Sequence, residues 1–236
     1  MWPSLFLSAA LVLGLWLVGS GIASRGGNTI STTGSASAQV TADTAKWVVD
    51  IHRTAYEGGT QAAYSQVASD SKAVQKYFEA LNLASSTVLV SVIYTDQNYT
   101  SNQNAPTTYN VHETVTVTTS DVQKVDELSH SIGDLSGKVG NGTLLSPQAP
   151  EYYVSTLPQL RVSLLGQAVK DAKARAEQIA TSGGAAVGTL QNASSGVVQV
   201  LAPNSTNIED YGSYDTSTIQ KQVMIYSLIL NNGFRR

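Results

Sequence analysis

Histidine is the side chain best suited to ligate a transition metal or to move protons near neutral pH, and this chain has three: His52, His112 and His130. None stands in a pattern that makes such chemistry local. There is no His-x-His, no His-Glu-x-x-His and no paired Cys/His spacing, so a metal site would need ligands brought together from distant segments. His112-Glu113 is a bare dipeptide in a strand-like run, which sends its two side chains to opposite faces. His52 falls out of phase with Trp47, Val49 and Ile51, and His130 lies beside the apolar stripe of a helix. All three are read as isolated structural histidines. No catalytic, cofactor-binding or metal-binding residue is assigned, and no cofactor is expected.

The remaining chemistry is equally sparse. The chain has no cysteine, which excludes disulfides, thiolate metal sites and cysteine nucleophiles, and suits an exported protein that folds without oxidative help. Serines are abundant, but no Gly-x-Ser-x-Gly elbow occurs. Gly183-Gly184 closes a helix instead of opening one, the wrong end of the dipole for a phosphate. Glu209, Asp210 and Asp215 make residues 203–218 oxygen-rich, yet the alternating spacing of a calcium loop is missing and the segment reads as a solvated excursion. Sequons at Asn98, Asn141, Asn192 and Asn204 would be glycan acceptors in a eukaryotic or archaeal secretory route.

The elements that would position these residues are better marked. Leu160, Leu164, Ala168, Ala172, Ala176, Ile179 and Ala180 form one helical stripe within 156–188. Thr156 and Gln159 have capping-box spacing, Pro158 suits a first turn, and Gly183-Gly184 permit a left-handed stop. Alternation over 30–40 and again over 47–51, around Ala42-Asp43, predicts a β-hairpin. A helix capped by Thr60 follows, with Ala63, Val67, Val74, Phe78 and Leu81 inward, ending at Asn82. Strands are expected at 87–94, 111–118, within 144–153, within 187–201 and at 219–230; Ser120 and Gln123 open a further helix that stops at Gly137. The order ββαββα(β)αββ indicates an α+β fold with a largely antiparallel sheet and helices packed on one side.

At 236 residues the chain is long enough for one large domain, and 13% charged residues is about half the usual share. With a net charge of −3 and no Lys/Arg cluster, a nucleic-acid partner is rejected. Residues 4–23 are apolar and uncharged, long enough to cross a bilayer, so 1–24 is expected to be a signal anchor or a signal peptide. Residues 25–28 make a linker, 29–232 the α+β domain, with room for two lobes divided near 105–120, and 233–236 a tail.

The runs ISTTGSASAQVTADTAKWVVDI, TTYNVHETVTVTTSDVQKVDEL and QAVKDAKARAEQIATSGGAAVG together resemble the SIMPL-domain family of bacterial envelopes. The most specific match is Ala168, Asp171, Ala172, Arg175, Ala176, Ile179, Ala180 and Gly184, while Ala42 stands where proline is common and Asn82 where glycine is common. The resemblance implies an exported or periplasmic α+β protein with no established catalytic site, assembling into large rings, some members being tied to oxidative-stress defence. The expected function is therefore a non-enzymatic homo-oligomer of the cell envelope, anchored or secreted, with its domain outside the cytoplasm. The alternative is an extracytoplasmic module binding an envelope protein, peptide or glycan through loops 96–108 and 203–218, and a third reading is an uncharacterised enzyme.

Overall fold

The computed structural model describes residues 29–98 and 106–232. The expected anchor, linker and tail lie outside these residues, and among the described residues no helix is long and apolar enough to cross a membrane. The elements are β1 (Thr29–Thr41), β2 (Thr44–Tyr56), α1 (Thr60–Ala80), β3 (Thr87–Val90), β4 (Tyr94–Asn98), β5 (Thr108–Thr119), α2 (Val122–His130), α3 (Ile132–Ser136), β6 (Leu144–Pro147), β7 (Glu151–Tyr153), α4 (Leu157–Ser182), β8 (Leu190–Ser195), β9 (Gln199–Leu201) and β10 (Gln220–Asn232). This is α+β with antiparallel sheets. Two compact units divide it, one holding residues 29–37, 160–198 and 224–232, the other 38–159 and 199–223. β5 runs unbroken through 108–119, inside the second unit.

The second unit is built on a six-stranded antiparallel sheet whose two long central strands, β2 and β5, pair over twelve residues from Ala45–Thr119 to Tyr56–Thr108. Short strands flank them: β3 and β4 on the free edge of β5, β6 and β7 on that of β2. Because side chains alternate, Ala45, Trp47, Val49 and Ile51 share a face with Val111, Val115 and Val117, and all are buried. Helix residues Val74 and Phe78 (α1), Val122 and Val125 (α2) and Leu135 (α3) complete one core with that face, where Trp47 meets Phe78 edge-on at 5.6 Å. Within this unit α1, α2 and α3 all pack on that face. The opposite face has no described helix in that core.

In the first unit the stripe on α4 is Leu164, Ala168, Ala172, Ala176 and Ala180, all fully buried. Ile179, expected on it, is 51% exposed, since at 3.6 residues per turn it stands about 100° round the helix from Ala180. Alanine matters here for proximity: a Cβ on Gly34 of β1 would stand 2.1 Å from the Ala168 carbonyl oxygen. At that separation Thr32 Oγ1 donates to the Ala172 carbonyl at 2.8 Å and the Ser35 N–H donates to Asp171 Oδ2 at 2.9 Å. The helix ends as read, Gly184 taking φ +71° and the Ala185 N–H donating to the Ala180 carbonyl.

Four local expectations differ from the structure. β1 and β2 are not a hairpin: β1 lies beside β10 and β2 beside β5 and β6. Neither Ala42 nor Asp43 has the positive φ a two-residue hairpin needs, and their N–H groups donate to Ile219 and Tyr153 carbonyls. Thr60 does not cap α1, its hydroxyl donating to the Glu57 carbonyl instead, and Ser120 does not cap α2, its hydroxyl going to Ala84. The expected strand within 187–201 is two, β8 and β9, separated by Gly196. Asn82 does take the left-handed conformation after α1, at φ 48°.

Ala172→Glu, an unpaired charge at a fully buried site, should cost ~3–5 kcal/mol, whereas Lys173→Glu on the exposed side should leave chemical-denaturation midpoints nearly unchanged. Burial alone would raise the Asp43 carboxyl, but hydrogen bonds from the backbone and hydroxyl of Ser155 and from Thr44 outweigh it and hold the group below its ordinary value. A depressed folded-state value stabilises above the unfolded value of about 4 and is lost as pH falls through the folded one. Asp43→Asn should therefore lower Tm at pH 7 and flatten the fall in Tm between about pH 5 and 3; an unchanged profile contradicts this.

Candidate functional site

The face of the β2–β5 pair opposite α1, α2 and α3 carries Lys46, Val48, Asp50, His52 and Thr54 from one strand and Asn110, His112, Thr114 and Thr116 from the other. Register makes neighbours of them. His52 stands directly opposite His112, Asp50 opposite Thr114 and Thr54 opposite Asn110. On the outer side of β5, Tyr94 is the partner of His112 and Asp96 that of Asn110. A row Leu144–His52–His112–Tyr94 therefore crosses β6, β2, β5 and β4.

Side chains in this row converge on Asp50. His52 Nδ1 lies 3.0 Å from Asp50 Oδ2, and His112 Nδ1 lies 3.1 Å from the same oxygen and 3.3 Å from Oδ1. The far nitrogen of His112, Nε2, is 2.8 Å from Asp96 Oδ1. The Tyr94 ring stacks on that of His112 with centroids 5.0 Å apart and planes 7° from parallel; the His52 and His112 rings are 5.2 Å apart. Asp50, His52 and His112 are 15–18% exposed, so they are sheltered but reachable from solvent, while Asp96 is half exposed. Burial, and then the charges of Asp50 and Asp96, raise the Tyr94 hydroxyl above its ordinary value. One carboxylate oxygen and two imidazole nitrogens, all within 4.8 Å of one another, make a donor set of the kind that holds a divalent cation.

Two of the three histidines are thus not isolated: β-pairing joins them across sixty residues of chain. His130 is at the exposed end of α2 and takes no part. His112 and Glu113 do face opposite sides, Glu113 lying buried on the core side with Oε2 unpartnered. The acidic residues of 203–218 do not converge. Asp215 accepts from Ser217 and Thr218, and the segment is tied to the buried Gln199, whose amide donates to the Glu209 carbonyl and accepts from Ser213. Lys221, fully buried, donates to the Asp215 and Thr218 carbonyls; burial lowers its ammonium, with Asp215 opposing. A cavity of ≈ 440 Å³ lies against this segment, lined by residues including Glu209, Ser213 and Tyr214. Of loop 96–108, Asp96–Asn98 and 108 belong to strands, and 99–105 lie outside the described residues.

The model of the SIMPL family, described as a protein of unknown function (DUF541), matches residues 30–223. The chain belongs to the SIMPL family. No curated protein matches it significantly. Among solved structures it is similar to a hydantoinase/carbamoylase family amidase from Burkholderia ambifaria, at 18% identity and a TM-score of 0.31, covering 46% of this chain and 28% of that one. The corresponding amidase from Burkholderia multivorans is similar at 16% identity and a TM-score of 0.28, covering 50% and 29%. The SIMPL chain spans less than a third of those structures, and a likeness this loose carries no argument about its activity.

Proposed function

We propose that this SIMPL protein is a non-enzymatic domain of the cell envelope that self-associates into an oligomeric scaffold, displayed outside the cytoplasmic membrane by residues 4–23 or secreted if that segment is cleaved. The observation that carries the reading is β8. It ends the sheet order β1-β10-β8, pairing antiparallel with β10 on one side, and no other described strand pairs with its second edge. All six of its side chains are exposed, and residues 185–198 contain neither a charge nor a proline. Unpaired N–H and C=O groups with no lysine, proline or covering element among the described residues are what a second chain adds to. Monomeric proteins usually block such an edge.

A second reading has its own observation. The cavity beside 203–218 is bordered by Glu209, Ser213, Tyr214 and Asp215, polar groups suited to an envelope peptide or glycan. Enzymatic turnover has less support, since none of Asp50, His52 and His112 lines this cavity or the ≈ 360 Å³ cavity beside Gly140–Leu145.

Light scattering on the full chain in mild detergent at micromolar concentration should give a discrete oligomer. Gln191→Lys with Ala193→Lys, charging the free edge, should shift it towards monomer without changing the circular dichroism spectrum. A wild-type monomer sinks the proposal, as does an oligomer indifferent to these lysines for the β8 edge.

A further inference from the structure

We propose that Asp50, His52 and His112 bind one divalent first-row transition-metal ion, with Asp96 as the group that orients His112. Donors held about 2.0–2.2 Å from a common ion lie ~3.0–3.5 Å from each other. Both histidine–Asp50 separations, 3.0 and 3.1 Å, meet that condition. Both rings present the same nitrogen, Nδ1, to the same carboxylate oxygen. A metal ligand on Nδ1 needs its proton on Nε2, and Asp96 stands 2.8 Å from the Nε2 of His112 to accept it. A carboxylate on the far nitrogen of a ligating imidazole is the arrangement that fixes its tautomer and plane. Stacked Tyr94 fixes the ring from the side.

Protein ligands come from one face only, three atoms on two adjacent strands, leaving the solvent side for water or a further donor. Imidazole with carboxylate, and no thiolate anywhere in the chain, suits Zn²⁺ or its neighbours in the first row rather than Ca²⁺ or Cu⁺. The competing arrangement is a metal-free cluster in which Asp50 accepts N–H from both rings and His112 donates from both its nitrogens. The two differ in whether Nδ1 carries a proton or a metal.

Isothermal titration of Zn²⁺ into the tag-free full chain in mild detergent, after chelator treatment and removal, decides between them. One ion per chain with Kd of about 1 µM or tighter is expected. His52→Ala and His112→Ala should each weaken binding about 100-fold or more, Asp96→Asn about 10–100-fold, and His130→Ala not at all. Zn²⁺ should raise the Tm of the wild type and not that of His112→Ala, whose own cooperative melt shows that it folds. Asp96 is half exposed, so its variant tests the idea even if a histidine variant misfolds. No saturable binding, or an affinity unchanged in the His52→Ala/His112→Ala double variant, overturns the proposal.

Discussion

The register between β2 and β5 is the constraint on which both the core and the cluster depend. Twelve consecutive antiparallel pairs set Trp47 against Val117 and Val49 against Val115 on one face while setting His52 against His112 on the other. Period-two alternation makes these inseparable: a slip of one residue in β2 would carry Trp47 to solvent and bury Asp50. Apolar burial under α1, α2 and α3 thus supplies the free energy that fixes the polar arrangement opposite. The histidines need no strong attraction of their own to meet.

The face this leaves open is unusual for its contents. Solvent-facing sheet sides commonly carry threonine and lysine, as Thr54, Thr114, Thr116 and Lys46 do here. Amid them sit an Asp50 shared by two rings, a second carboxylate behind one ring and a tyrosine stacked on it. Close approach organises the first unit in another way. Gly34 and the alanines of α4 let strand and helix backbones come near enough for Thr32 and Ser35 to reach Ala172 and Asp171. Burial of a side chain on Gly34 would force them apart.

Elements with strong local signals were legible in the sequence: α4 with its glycine stop, α1 with Asn82 in the left-handed conformation, and the alternation of β2 and β5. The phases of His52 and His112 were legible too, each falling on the polar side of its own strand. Their meeting was not. Pairing partners are set by long-range packing, and nothing local says that β2 skips β1 to join β5 or that position 52 faces position 112. The Ala42-Asp43 link misled for the same reason, a short polar connection looking like a hairpin while its φ angles forbid one. Side-chain capping failed at Thr60 and Ser120 because nearby carbonyls, Glu57 and Ala84, took the hydroxyls.

The most direct measurement is the pattern of cross-strand backbone proton contacts by nuclear magnetic resonance on isotopically labelled full chain in detergent. Contacts between residues 52 and 112, 50 and 114, and 54 and 110 are expected, with His130 remote from all of them. Contacts displaced by one residue, or His52 and His112 on opposite faces, would contradict it and dissolve the cluster and the core assignment together.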